Sequence, residues 1–142
     1  MLDGGRKMKR IRIPETVEIS NDNISIEKIE KYVENAGKAP SIKEQLIIKA
    51  YEITKKTKLL YETDEVAVLY SKDETGIYLS CFNKTTAGLT LEIPLAAMQV
   101  EGGHIAYCVL TAEEISILDN SLVLQIPDGS VLLVKLIKKE KK

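Results

Sequence analysis

Hydrophobic positions recur with two different periods along this chain, and the period changes near residue 58. In KRIRIPETVEIS, Arg10 and Arg12 alternate with Ile11 and Ile13, the period-two signature of a strand. Pro14 has no N–H, so it places this strand at a sheet edge or ends it. Asn21-Asp22-Asn23 reads as a loop. Ile26, Ile29, Val33 and Ala36 then share one face of a short helix, with Gly37 placed to stop it. A second helix opens at Ser41, which forms a capping box with Glu44. Its apolar stripe is Leu46, Ile47, Ala50, Ile53 and Thr54, and it runs to about Thr57. So short a connection between the two predicts a helical hairpin.

From Leu59 onwards apolar residues alternate. EVAVLY and GIYLSCF flank a turn over residues 71–75 that ends at Gly76; GLTLEIPL makes a third strand and HIAYCVL a fourth. Thr111-Ala112-Glu113-Glu114 has the spacing of another capping box and predicts a helical turn through Ile115 and Leu118 to Asp119-Asn120. SLVLQI, Pro127-Asp128-Gly129-Ser130 and VLLVKLI read as a hairpin, with proline presetting the turn and Gly129 taking a positive φ. The fold class expected is α+β: an N-terminal edge strand and helical hairpin followed by a mainly antiparallel sheet of five to six strands. Residues 89–94 (LTLEIP) and 122–127 (LVLQIP) match, which two similar strands ending at proline explain more simply than a repeat array.

The length of 142 residues fits one domain over 1–142 with one core. With no Trp and one Phe, that core rests on Ile, Leu and Val. No stretch approaches the roughly 20 apolar residues of a membrane helix, so no membrane partner is expected. Cys81 and Cys108 lie in apolar strand-like stretches without a CxxC spacing; they read as reduced core thiols of a cytoplasmic protein. In that compartment the triplets at Asn23 and Asn83 carry no glycan. Gly4-Gly5 can be encoded by a purine-rich ribosome-binding sequence upstream of Met8, so residues 1–7 read as a possible misread leader. Past Ile137 the chain is short and basic, and residues 138–142 are expected to fray.

Candidate chemistry is sparse. QVEGGHIAYC holds the single histidine, His104, beside Gly102-Gly103 and Cys108. A catalytic histidine needs a nucleophile to activate or a carboxylate to orient it, and no nucleophile motif accompanies this one. One His and two scattered Cys do not make a usual zinc set, and no phosphate-cradling glycine loop is present. The stretch reads as a tight turn with His104 at its exit. No catalytic, cofactor or metal residue is therefore assigned.

Charge is unevenly distributed: +4 over residues 1–58, −9 over 59–134 and +4 over 135–142, for a net −1. Basic ends thus flank an acidic sheet region, which makes a poor platform for single-stranded nucleic acid. The order of a strand bearing Arg10 and Arg12 followed by two helices resembles a ribbon-helix-helix DNA-binding unit over the first third of the chain. That resemblance implies duplex contacts from Lys9, Arg10 and Arg12. The loop before the first helix is longer than that unit has, and basic outer residues on an edge strand also serve to discourage aggregation. The leading expectation is a non-enzymatic interaction module that binds a protein partner or itself. A small DNA-binding regulator or mobile-element accessory protein is the alternative, and an enzyme with an unrecognised site the third.

Overall fold

The computed structural model describes residues 9–17, 24–34, 57–100, 103–109, 111–127, 129 and 131–138. The proposed leader, the loop at 21–23, the stop at Gly37, the second helix up to residue 56 and the tail beyond 138 lie outside the described residues.

The described residues are mainly β: two sheets and one short α-helix. One sheet has four strands, in the order β1 (Lys9–Arg12), β5 (Leu89–Pro94), β9 (Ser121–Ile126), β8 (Ile117–Leu118). The other has six, in the order β2 (Lys58–Glu62), β3 (Val66–Asp73), β4 (Gly76–Asn83), β10 (Val131–Lys138), β6 (His104–Cys108), β7 (Glu114–Ile115). Every pairing is antiparallel except β1 with β5, which is parallel. The expected single sheet of five to six strands is therefore corrected to two packed sheets, of which the six-stranded one is wholly antiparallel.

Alternation along the strands builds the core. Val66 and Val68 of β3, Ile77, Leu79 and Cys81 of β4, and Val134 and Leu136 of β10 face inward. They meet Leu89, Leu91 and Ile93 of β5 and Leu122, Leu124 and Ile126 of β9. The opposite parity packs outward: Ala67, Leu69, Phe82, Val131 and Leu133 form a second cluster under Ile29 and Tyr32 of helix α1 (Ile26–Glu34). The six-stranded sheet is thus buried on both faces where α1 crosses it, which is why its strands there read as near-continuous apolar runs. Ser25 caps α1, its hydroxyl accepting from the Lys28 N–H at 3.2 Å.

Four local readings need correction. Residues 121–138 are not a hairpin: β9 belongs to the four-stranded sheet and β10 to the six-stranded one, so the chain at Gly129 crosses between layers. Gly129 does take the expected positive φ (53°), and its N–H donates to Thr85 O at 3.0 Å. Residues 111–118 are not helical. Ala112 has φ 63°, and Ile115 and Ile117 then pair with β6 and β9 respectively. Their short run passes from one sheet to the other and links the two along one side. The last element described before Gly103 is a 3₁₀ turn (Leu95–Met98), not a strand, although Gly103 has the positive φ (86°) that a turn requires. Lys138, expected to fray, is instead the last residue of β10 and lies opposite His104.

Edge and turn chemistry elsewhere follow the sequence. β1 is an edge strand, and pairing continues only as far as the Ile13 N–H on Glu92 O, at 2.9 Å, before Pro14. The β3–β4 hairpin closes through Glu74-Thr75, with Asp73 opposite Gly76. β8 and β9 turn through Asp119 and Asn120, both at positive φ (52° and 61°), as a two-residue turn of the mirror-image type demands.

Candidate functional site

The residues nominated for DNA contact lie together on β1. The side chains of Lys9, Arg10 and Arg12 are 61%, 60% and 50% exposed. Each is nevertheless engaged by an acid from the rest of the fold. Lys9 pairs with Glu65 in the β2–β3 turn, and Arg10 pairs with Glu92 on the neighbouring strand β5. Arg12 reaches the other oxygen of Glu92 at 3.0 Å and Glu15 at 3.7 Å. Parallel register sets this up, because Arg12 sits opposite Glu92 and Arg10 two residues before it on the same face. Hydrogen bonds from Arg10 and Arg12 hold the Glu92 carboxyl below the ordinary carboxylate value. Three basic groups matched by three carboxylates leave this strand with little net charge to offer a phosphate backbone.

A second polar cluster, absent from the sequence reading, sits where α1 meets the six-stranded sheet. Lys28 and Tyr32 are four residues apart and so share one helix face. Glu62, at the end of β2, is 3.6 Å from the Lys28 ammonium and 3.2 Å from that of Lys84. Both ammonium groups lie over the Tyr32 ring, 6.0 and 5.9 Å from its centroid, while that ring tilts against Phe82 at 5.6 Å. The buried Tyr32 hydroxyl interacts with Glu62 outside regular hydrogen-bond geometry; burial, with the carboxylate beside it, pushes its ionisation up. Burial also pushes the Glu62 carboxyl up, but Tyr32 and the two lysines outweigh it and hold the group below its usual value. Two cations, one carboxylate and one phenol in this arrangement fasten a helix to a sheet. Glu62 already fills the space between the lysines.

The remaining candidates are not brought together into a reaction centre. His104 starts β6, half-buried, in register with Lys138. Cys81 is fully buried on β4 and burial pushes its thiol up to about 12, so it is held as an inert thiol. Cys108 is half-buried on β6, and both cysteines are free. Among the described residues no three His, Cys, Asp or Glu side chains are grouped to hold a metal ion. No helix among them is long and apolar enough to cross a membrane, which says nothing of β-barrel spans.

Asn83 is the most heavily engaged side chain at the end of the fold where β4 runs into the turn before β5. It is fully buried. Its amide nitrogen donates to the carbonyls of Ala87 (2.9 Å), Ile126 (3.1 Å) and Pro127 (3.1 Å). Its oxygen accepts from the Thr85 N–H (2.9 Å) and the Thr85 hydroxyl (2.7 Å). The Asn83-Lys84-Thr85 triplet is thus a turn clasp that ties the six-stranded sheet to the end of β9. Its sequence signal is an Asx turn closing a strand, and its burial leaves no room for a glycan.

No protein-family model matches the sequence, and no curated protein matches it. Solved structures do share its fold. A β-L-arabinopyranosidase from Geobacillus stearothermophilus aligns with a TM-score of 0.56 at 18% identity, over 62% of this chain and 20% of that one. Alpha-galactosidase I from Mortierella vinacea aligns at 0.54 and 8% identity, over 65% of this chain and 25% of that one. An alpha-amylase from Geobacillus thermoleovorans, solved with acarbose, aligns at 0.51 and 19% identity, over 60% and 19%. The aligned part of this chain therefore spans about a fifth to a quarter of each enzyme's length, and at such identities the likeness is one of fold. The two packed sheets described above resemble the C-terminal β domains of glycoside hydrolases.

Proposed function

We propose that this chain is a non-enzymatic interaction module, a β-sandwich that binds a protein partner or a second copy of itself. The observation that carries the reading is the fold likeness to the C-terminal β domains of much longer enzymes, in which the matched part is a minor share of the chain. Fold alone assigns no chemistry, and no reaction centre is assembled among the described residues. The engaged side chains described above support the same reading, because the basic strand, the Tyr32–Glu62 cluster and Asn83 are each occupied in holding elements together. The free thiols, one of them fully buried, support a reducing, cytoplasmic setting.

The test combines light scattering of the purified chain with purification from its native host under mild conditions. A stoichiometric partner that re-forms the complex from purified components supports the proposal, as does a concentration-dependent dimer. A chain that remains monomeric and partnerless, or that hydrolyses any member of a panel of nitrophenyl glycosides with saturation kinetics, refutes it.

A further inference from the structure

We draw no further inference here: the strongest candidate, the half-buried Tyr78–Lys135–Tyr107 row that crosses β4, β10 and β6 on the part of the six-stranded sheet's outer face beside the α1 contact, carries nothing because nothing in the structure shows what covers it.

Discussion

Replacing Asn83 tests the fold at a fully buried side chain with five hydrogen-bond contacts. Two amide protons serve three carbonyls, so one donation is shared, and the oxygen accepts twice from Thr85. A net hydrogen bond stabilises by about 1 kcal/mol, and a buried group left without a partner costs about 1–3 kcal/mol. The Ile126 carbonyl contact is buried, whereas those of Ala87 and Pro127 are part-buried and can recover water. The Thr85 hydroxyl retains a second contact, to Ala87 O at 2.7 Å. Asn83→Ala is therefore expected to cost about 3 kcal/mol, a large part of the roughly 5–15 kcal/mol available to a domain. Urea unfolding reads this as a lower midpoint at an unchanged m-value.

Asn83→Asp separates hydrogen bonding from packing, since it keeps the shape and the acceptor to Thr85 but turns the donor into a carboxylate facing three carbonyls. Its folded-state pKa is raised above the unfolded value. The deficit relative to the parent protein should then be greatest at neutral pH and shrink as pH falls through the folded pKa and the carboxyl gains a proton. A loss below about 0.5 kcal/mol for Asn83→Ala, or a pH-independent deficit for Asn83→Asp, would refute the clasp.

Gly76→Ala should cost about 2 kcal/mol or more in the same assay, because φ is +151° and an added Cβ would lie 2.4 Å from the Leu136 carbonyl oxygen; a neutral result would mean that β4 and β10 are not packed as described. His104→Ala should shift stability by under about 1 kcal/mol, and loss of folding or of a bound metal would restore a site reading for QVEGGHIAYC. Glu62 and Glu92 both have depressed folded-state pKa values, so their stabilisation is present above the ordinary carboxylate range and is lost as pH falls through the folded values. Denaturation midpoints should accordingly drop more steeply below about pH 5 in the parent than in Glu62→Gln with Glu92→Gln, and parallel curves would contradict the assignment. Duplex DNA should not be retained at physiological salt. A gel shift that weakens steeply from about 50 to about 200 mM salt and vanishes in Arg10→Ala with Arg12→Ala would favour the regulator reading instead.

Local pattern revealed strands far better than it revealed which sheet each strand joins. The β3–β4 hairpin was legible because alternation runs up to its turn and Gly76 follows it directly. Pro14 likewise marked β1 as an edge, yet its parallel partner β5 lies about 80 residues on in the sequence, and no local signal carries that pairing. Pro127-Asp128-Gly129 was read as a hairpin because turn chemistry fixes how the chain reverses. It does not fix whether the returning strand takes its ladder from the departing one. Here β9 has β5 and β8 on its two sides, while β10 lies between β4 and β6. The matched LTLEIP and LVLQIP segments are β5 and the strand beside it, β9, and their likeness reflects one inward parity on two paired strands.

At residues 111–118 the capping-box spacing and the three-residue spacing of Ile115 and Leu118 both suggested a helical turn. A helical turn would have grouped Ile115 with Leu118. Instead Ile115 and Ile117, two apart, both pack against the core, while Leu118 is 58% exposed. The segment is extended, with its inward residues two apart, and the Thr111 hydroxyl accepts only from the Glu113 N–H at 3.2 Å. Charge followed the same logic. An acidic region flanked by basic ends implied either internal pairing or an anionic partner, and composition could not separate the two. Along β1 the structure shows internal pairing: parallel register brings Arg10 and Arg12 to the same carboxylate, and the β2–β3 turn brings Glu65 to Lys9. Exposed pairs of this kind each contribute only about 0–1 kcal/mol. Their larger consequence is therefore for the surface: with Lys9, Arg10 and Arg12 matched inside the fold, the β1 edge presents little net charge.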